Sequence, residues 1–281
     1  MWIQASLTKN PWIALLLALL SLVLPGHARA DELVTLETRP GVQLKVMVML
    51  PEATPKGVLI AYVGGQGTLG LDTLFGKPVI GNKDYAQAFI VRNRDKFVQA
   101  GYALLLPDAP SDRKTLNYIY RVGLQQVDDA IPLIDFARQR FGMAPWLLGT
   151  SASALTVGSL GGHPDLALGG IVLISSVTAV PSDYGVYRTH PEGTASTPLG
   201  AVKVPALVIA HQDDACELSP PTDSAKLMTR LTAAPRKAER LVTGGDRPRS
   251  GPCFALSPHG FLGVEGEVEQ AIFDFIEKPG T

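Results

Sequence analysis

The chain has 281 residues, a net charge of −1 at pH 7, and 46% hydrophobic against 18% charged residues. This composition is typical of a globular protein with a sizeable core and excludes a disordered chain. The charged residues form no basic cluster and no block of like charge, so the sequence indicates neither nucleic acid nor an anionic membrane surface as a partner.

The first thirty residues differ in composition from the rest of the chain. Lys9 precedes an apolar stretch over residues 12–24, and Pro25-Gly26 then leads into Ala28-Arg29-Ala30. The apolar stretch would form a helix of about 20 Å, too short for the roughly 30 Å hydrocarbon core of a membrane. The pattern therefore predicts a secretory signal, residues 1–30, that is cleaved after Ala30. We expect residues 31–281 to form a single domain, periplasmic or secreted, with no membrane span.

Short apolar runs recur between helical patterns along the rest of the chain, which is typical of a mostly parallel sheet covered by helices on both faces. These runs lie at residues 33–36, 44–50, 58–63, 102–106, 146–148, 170–175, 206–210 and 239–242. The first two flank a Pro-Gly pair and predict an antiparallel hairpin at one edge. The pattern as a whole predicts an eight-stranded sheet.

Two helices are indicated by apolar residues at three- or four-residue steps, over residues 124–134 and 264–275. Pro132 lies inside the first helix and is predicted to bend it or to mark a break. The segment 177–204 is rich in Pro, Gly, Ser and Thr, and it is predicted to be an irregular, short lid.

A candidate nucleophile lies in the sequence GTSAS at residues 149–153. A strand that turns sharply into a helix at Gly-x-Ser-x-Gly exposes the serine hydroxyl to a neighbouring base. Here Ser153 replaces the second glycine, which predicts strain where the helix and strand backbones approach each other. Ser151 is the predicted nucleophile.

A serine hydroxyl is a poor nucleophile at neutral pH and needs an adjacent base and an orienting acid. His259 is the predicted base because it lies between a proline and a glycine, directly before the last helix. His163 and His190 each precede a proline in turn-like sequence, and His211 ends a strand. These three are predicted to be surface or supporting residues.

The acid is predicted in the turn after the strand at residues 206–210. Asp213 and Asp214 lie there in tandem, between Ser151 and His259, which matches the chain order of serine, acid and histidine in α/β-hydrolases. Aspartates also decorate such turns for capping alone. We favour Asp214, with Asp213 as the alternative acid and Asp183 as a weaker one.

A glycine-rich loop, GGQG at residues 64–67, directly follows the predicted strand at 58–63. Such a loop can turn a backbone amide towards the oxyanion of a tetrahedral intermediate. We assign the Gln66 amide, with the Gly65 amide as its rival, and the Ala152 amide as the second donor. The loop lacks the Lys-Ser or Lys-Thr of a nucleotide-binding loop.

The only two cysteines are Cys216 and Cys253. In an exported protein such a pair is expected to form a disulfide rather than remain as two buried thiols. The bond would join the acid loop to the histidine loop, and we hypothesise that it preorganises the contact between His259 and Asp214. No spacing typical of a metal site is present, so neither a metal nor another cofactor is expected.

Five segments together resemble exported bacterial α/β-hydrolases. They are GGQG at 64–67, DAPSD at 108–112, WLLGTS at 146–151, HQDDAC at 211–216, and the stretch from GPC to SPHGF at 251–261. The resemblance spans nearly all of the chain after residue 30. It implies the α/β-hydrolase fold, a catalytic site of Ser151, Asp214 and His259, and pairing of Cys216 with Cys253.

The leading functional hypothesis is an exported serine hydrolase, a carboxylesterase that cleaves small-molecule acyl substrates through an acyl-enzyme. One alternative is a serine peptidase or amidase on the same fold, which would need a clamp for the peptide ends that the sequence does not locate. Another is a non-catalytic scaffold that binds a ligand or partner, because fold does not fix activity. The presence of all three candidate catalytic residues argues against the scaffold.

Overall fold

The computed structural model describes residues 31–278, so the predicted signal segment at 1–30 lies outside the described residues. The main sheet has eight strands: β1 (Glu32–Arg39), β2 (Val42–Met49), β3 (Gly57–Tyr62), β6 (Tyr102–Pro107), β7 (Trp146–Thr150), β8 (Gly170–Ile174), β9 (Ala206–His211) and β10 (Lys237–Val242). A separate hairpin contains β4 (Leu71–Leu74) and β5 (Lys77–Ile80).

The strand order across the main sheet is β1-β2-β6-β3-β7-β8-β9-β10. Strand β2 pairs antiparallel with β1 and β6, and all other pairs are parallel. Both the predicted mostly parallel sheet of eight strands and the predicted edge hairpin are confirmed. Because the parallel strands share one direction, the loops that follow β3, β7, β8 and β9 meet at one edge of the sheet.

The hairpin of β4 and β5 was not predicted from the sequence. Its strands have four residues each, and Leu71 is the only buried residue among them. Phe75 and Gly76 form the turn with φ angles of 49° and 75°, a pair of positive values typical of a tight two-residue hairpin turn. The hairpin leads into the segment that carries Tyr85.

Seven α-helices lie within residues 31–278. They are α1 (Phe89–Arg92), α2 (Arg94–Gln99), α3 (Tyr118–Val122), α4 (Leu124–Phe141), α5 (Ser153–Gly161), α6 (Ser224–Arg230) and α7 (Glu265–Glu277). Helix α4 continues through Pro132, so the predicted break is absent. Its buried face, which includes Leu133 and Ala137, keeps the helix packed where proline removes one backbone hydrogen bond.

Hydrophobic residues cover both faces of the sheet. Val58 and Ile60 of β3 point to the face that packs against α4 and α5, whereas Leu59 and Ala61 point to the face that packs against α7. This alternation follows from the two-residue period of a strand and confirms the prediction of helices on both faces. No helix of residues 31–278 combines the length and the apolar character needed to span a bilayer.

The predicted irregular segment, 177–204, contains three short 3₁₀ helices at Gly185–Arg188, Gly193–Ser196 and Leu199–Ala201. Val177, Val180 and Val186 of this segment are buried against Ala152 and Leu155 at the start of α5. The segment therefore packs closely beside the turn that carries Ser151.

Candidate active site

Ser151 lies in the sharp turn between β7 and α5. Its φ angle is 58°, in the left-handed region that non-glycine residues rarely adopt. The Ser151 amide donates to the Ile174 carbonyl at 2.8 Å, and the side chain is half-buried. A Cβ atom on Gly149 would lie 2.5 Å from the Ser153 carbonyl oxygen, so the backbones approach each other as closely as glycine allows. This is the geometry of a strained nucleophile turn.

Ser153, which replaces the second glycine of the motif, fits this turn through hydrogen bonds. Its buried hydroxyl accepts from the Thr150 amide at 2.8 Å and donates to the Tyr62 carbonyl at 2.7 Å. The side chain thus links the nucleophile turn to the end of β3. The positive φ angle lies at Ser151, while residue 153 begins a regular helix.

Asp214 and His259 form a buried hydrogen bond. The His259 Nδ1 atom lies 2.8 Å from Asp214 Oδ2, and the two residues are 3% and 7% exposed. The other carboxylate oxygen of Asp214 accepts from the Cys216 amide at 2.9 Å. Asp213 is exposed, and its amide donates to His211 Nδ1 at 3.0 Å. The structure therefore joins Asp214, rather than Asp213, to the predicted base.

The other ring nitrogen of His259, Nε2, is buried and has no hydrogen-bond partner among residues 31–278. Ser151 Oγ is therefore not hydrogen-bonded to it in this structure, although both residues are anchored at the end of β8. The Ser151 amide donates to the Ile174 carbonyl. The hydroxyl of the following residue, Ser175, donates to the His259 carbonyl at 2.9 Å. Catalytic hydrogen bonds are often long before substrate binds.

The remaining sequence candidates have other partners or positions. His211 is fully buried, and its Nε2 atom lies 3.0 Å from the Gly244 carbonyl, so both of its ring nitrogens are engaged within the protein. Asp183 lies exposed in the 177–204 segment. Within residues 31–278, no group of three His, Cys, Asp or Glu side chains is arranged to hold a metal ion.

Ser175 and Arg92 support the histidine loop and were not identified from the sequence. Ser175 is almost fully buried with a φ angle of 42°, and its position at the carboxyl end of a strand was the available signal. Arg92 donates to the Gly260 carbonyl at 2.5 Å and pairs with Glu265 at 2.7 Å. No local pattern connects Arg92 to a loop so distant in sequence.

Cys216 and Cys253 form a disulfide, as predicted, with their Cα atoms 4.6 Å apart. Because the Cys216 amide also donates to Asp214, the bond ties the acid directly to the loop that precedes His259. This is the arrangement that the preorganisation hypothesis requires.

The glycine loop at 64–67 packs directly against the nucleophile turn. A Cβ atom on Gly64 would lie 2.7 Å from the Thr150 carbonyl oxygen, 2.9 Å from Ser151 Cβ and 3.6 Å from the Ala152 nitrogen. Only glycine permits this approach. The glycine loop and the Ala152 amide therefore lie close together beside Ser151, as donors to one oxyanion would have to.

The Gln66 amide, which the sequence assigns to the oxyanion, donates to the hydroxyl of Tyr85. The Gly67 amide donates to the same hydroxyl at 3.2 Å. The Gln66 carbonyl in turn accepts from the Leu116 amide at 2.7 Å. In this structure the predicted donor therefore faces a phenol hydroxyl from a segment that sequence reasoning did not consider.

Arg121 of α3 lies beneath the same loop and is fully buried. Its guanidinium donates to the carbonyls of Gly65 at 3.0 Å, Val63 at 3.2 Å and Leu116 at 3.2 Å. None of its hydrogen-bond partners among the described residues is a carboxylate, and Nη1 has no partner. Burial lowers the pKa of Arg121 to about 10, so the side chain still carries its charge at pH 7.

A cleft of about 410 Å³ begins at the glycine loop. Gly65 and Gln66 form one side, and Tyr118, Ile119, Tyr184 and Val186 contribute apolar surface elsewhere. The rings of Tyr118 and Tyr184 lie 5.5 Å apart between centroids. The described residues that line the cleft include no charged side chain. The segment predicted to be a lid thus supplies one wall, through residues 184–186.

No protein-family model matches the sequence, and no curated protein matches it either. Solved structures do match. Est1E from Butyrivibrio proteoclasticus is similar with a TM-score of 0.59 at 12% identity, over 88% of this chain and 99% of that chain. The Pyrococcus furiosus esterase Pf2001 has a TM-score of 0.60 at 14% identity, over 88% and 90%.

XC6422 from Xanthomonas campestris, described as an α/β serine hydrolase without a lid, has a TM-score of 0.54 at 16% identity, over 89% of this chain and 96% of that chain. At such identities the likeness concerns architecture, and it agrees with the strand order described above. The chain has the α/β-hydrolase fold.

Proposed function

We propose that this protein is an exported serine hydrolase that cleaves small carboxylic esters through an acyl-enzyme. The observation that carries the proposal is the buried hydrogen bond between Asp214 and His259, with the second imidazole nitrogen unengaged, at the sheet edge where Ser151 lies in a strained turn. A buried imidazole with one nitrogen oriented by a carboxylate is suited to accept a proton through the other.

In the proposed reaction Ser151 Oγ attacks the ester carbonyl carbon while its proton passes to His259 Nε2. Asp214 orients the imidazole and stabilises the imidazolium. The tetrahedral intermediate collapses when the bond to the alcohol oxygen breaks and that oxygen takes the proton from His259. Water then repeats the sequence on the acyl-enzyme, releasing the acid and restoring Ser151.

The residues that line the cleft are suited to bind a neutral, apolar group of the substrate. A carboxylate or ammonium group bound there would lose hydration without gaining an opposite charge from the lining side chains. Apolar and aromatic surfaces from Ile119, Tyr118 and Tyr184 would instead remove an uncharged acyl or alkyl group from water. We therefore favour esters without charge near the carbonyl.

Export is supported by two independent features. The sequence of residues 1–30 predicts a cleaved signal. The disulfide between Cys216 and Cys253 is compatible with an oxidising compartment.

A fluorophosphonate probe tests the nucleophile, because it reacts covalently with activated serines. The wild-type protein should be labelled and Ser151→Ala should not. Ser176→Ala is a matched control, because the Ser176 hydroxyl is buried without a hydrogen-bond partner and its loss should leave labelling intact. Absence of labelling in a folded, disulfide-bonded wild-type sample would favour the non-catalytic scaffold.

Substrate class is tested with nitrophenyl esters of increasing acyl length, beside peptide anilides. Turnover of the esters without turnover of the anilides is expected, and the reverse would favour a peptidase. A nitrophenyl ester with a terminal carboxylate should be hydrolysed at least tenfold more slowly than the neutral ester of equal length. Equal rates would contradict the proposal that the uncharged cleft binds an acyl or alkyl group of the substrate.

A further inference from the structure

The hydroxyl of Tyr85 covers the backbone amide that the sequence assigns to the oxyanion. It accepts hydrogen bonds from both Gln66 and Gly67. A Cβ atom on Gly65 would lie 2.7 Å from this hydroxyl oxygen, and Gly65 has a φ angle of 52°. The loop therefore needs glycine at position 65 both for its conformation and for the approach of the phenol.

This hydroxyl approaches the glycine loop one residue away from the point where the loop meets Ser151. Gly64 contacts Ser151 and lies near the Ala152 amide, and the next residue, Gly65, contacts the Tyr85 hydroxyl. Consecutive Cα atoms are about 3.8 Å apart, so the phenol and the nucleophile turn flank neighbouring residues of one loop. Tyr85 and Ser151 therefore approach consecutive residues of the glycine loop, which is the placement expected of a second donor beside the nucleophile turn.

The hydrogen bonds of Tyr85 leave its proton available. A phenol hydroxyl has one proton to donate, and its oxygen accepts hydrogen bonds through its lone pairs. Here the oxygen accepts from two amides, and no hydrogen bond from this hydroxyl to an acceptor is present within residues 31–278. Two donors that bind the oxygen also polarise the O–H bond and strengthen it as a donor.

Arg121 reinforces this polarisation from below. It binds the Gly65 carbonyl at 3.0 Å, and in a planar trans peptide the carbonyl and the following N–H point in opposite directions. The Gln66 N–H therefore points away from Arg121, towards Tyr85. Guanidinium, peptide and phenol form a chain of aligned dipoles that starts from a buried positive charge.

We propose that Tyr85 is a catalytic residue whose hydroxyl donates a hydrogen bond to the oxyanion, with the Gln66 amide acting through it rather than on the oxyanion directly. The proposal rests on the proposed serine hydrolase function. When Ser151 Oγ adds to the carbonyl carbon, the carbonyl electron pair moves to oxygen, and that oxygen accepts from Tyr85 and from Ala152. The phenol keeps its proton throughout.

Tyr85→Phe removes only the hydroxyl. We expect kcat for a neutral nitrophenyl ester to fall about 100-fold with little change in KM, the scale seen when one oxyanion donor is removed. Tyr187→Phe, at a partly exposed tyrosine outside the described cleft, is the matched control and should retain wild-type turnover. An unchanged or higher kcat in Tyr85→Phe would overturn the proposal and identify the phenol as a cover that substrate must displace.

A fluorinated tyrosine at position 85 separates donation from loop support. Fluorination makes the phenol more acidic, hence a stronger donor while protonated, and ionisation removes the proton altogether. If Tyr85 donates to the oxyanion, kcat should stay near the wild-type value at neutral pH and fall at the pH where the fluorinated phenol ionises.

A hydroxyl that only accepts from the loop amides would bind them at least as well when ionised, so a pH profile identical to that of the wild type would also overturn the proposal.

Fluorophosphonate labelling of Ser151 distinguishes failure of the serine hydrolase proposal from failure of the Tyr85 proposal. A wild-type protein that is not labelled contradicts the serine hydrolase itself. A wild-type protein that is labelled, with Tyr85→Phe fully active, contradicts only the role of Tyr85.

Discussion

Arg39 and Arg121 both lose water when the chain folds, but their partners differ. Arg39, at the end of β1, has a side chain that is 16% exposed and lies 2.8 Å from Asp129 and 3.0 Å from Asp112. Hydrogen bonds to these two carboxylates raise the pKa of Arg39 above its usual value, and the bond to Asp129 contributes the most. Arg121 is fully buried, binds backbone carbonyls, and has its pKa lowered by burial.

The two environments have opposite consequences for stability. Around Arg39 the buried Asp129 also accepts from the hydroxyls of Thr38 and Tyr120, so each charge has partners and the network holds β1 against α4. A buried charge without an opposite charge costs free energy, even when carbonyls solvate it. We infer that Arg39 serves the fold, whereas the Arg121 guanidinium fixes the shape and the electrostatic field of the glycine loop.

Removal of Asp129 should have the largest effect on stability. In Asp129→Ala the Arg39 charge loses its buried partner, and the expected loss is about 3 to 5 kcal/mol in the free energy of unfolding. Urea denaturation measures this, with Asp128→Ala as a control because Asp128 is exposed one residue away. Ester turnover at a temperature where the variant is folded should remain close to wild type. A loss of less than 1 kcal/mol would contradict the assigned role of Arg39.

The disulfide should rank next, and unlike Arg121 it supports the candidate site through a covalent bond rather than through a charge of its own. Cys216→Ala with Cys253→Ala opens a loop of 37 residues, which costs about 3 to 4 kcal/mol in the chain-entropy model. Since Cys216 also binds the Asp214 carboxylate through its amide, turnover should fall even below the unfolding temperature. Full turnover in the folded variant would refute preorganisation while leaving the stability effect intact.

The same contrast explains how much of the fold and the site could be predicted from the sequence. Strands such as β3 and β7 are continuous apolar runs, and the order of Ser151, Asp214 and His259 is visible in the chain itself. Arg39 and Arg121 are not distinguishable by any local pattern. A charged residue in a short helix suggests a solvent-exposed position, and only tertiary packing places Arg121 beneath the loop.

The contact of Tyr85 with the glycine loop was not predicted, for a related reason. Sequence reasoning followed the glycine loop to its amides and assigned Gln66, because the motif specifies the backbone and not what covers it. Tyr85 reaches the loop from a segment after the short hairpin of β4 and β5, whose strands are too short and too exposed to show a clear two-residue period. Ser153 is the opposite case, because the motif predicts strain there and the structure accommodates the side chain. The Ser153 hydroxyl forms hydrogen bonds to the Thr150 amide and the Tyr62 carbonyl at the position where the motif has glycine.

Arg121→Met should separate activity from stability most sharply. A hydrophobic side chain of similar length removes the cost of burying an unpaired charge, so the free energy of unfolding should stay within about 1 kcal/mol of wild type or rise. Turnover should fall about tenfold, roughly 1.4 kcal/mol in the barrier, because the Gly65 carbonyl loses its donor.

Arg121→Lys is the matched control for charge. Lysine keeps the positive charge but cannot donate to several carbonyls in a fixed plane, so kcat should be restored only in part. Steady-state kinetics and thermal denaturation of both variants measure the two quantities. If Arg121→Met lost several kcal/mol of stability and kept its kcat, the assigned roles of the two arginines would be reversed.

The smallest effect should come from the outer partner of Arg39. Asp112 is partly exposed, and its hydrogen bond with Arg39 lowers the pKa of the Asp112 carboxyl. Exposed pairs contribute little, so Asp112→Asn should cost about 0.5 kcal/mol at pH 7. Because the folded pKa lies below the unfolded one, the contribution is present above the unfolded pKa and is lost as pH falls through the folded pKa.

The difference in unfolding free energy between wild type and Asp112→Asn should therefore be constant near neutral pH and shrink towards zero in acid, below the usual aspartate pKa of 3.8. Asp183→Asn, at an exposed aspartate of the 177–204 segment, is the control and should change the free energy of unfolding at pH 7 by less than about 0.5 kcal/mol. A difference that grew in acid would mean that Asp112 favours protonation in the folded state. Arg39 would then depend on Asp129 alone, and the contrast with Arg121 would rest on one buried carboxylate.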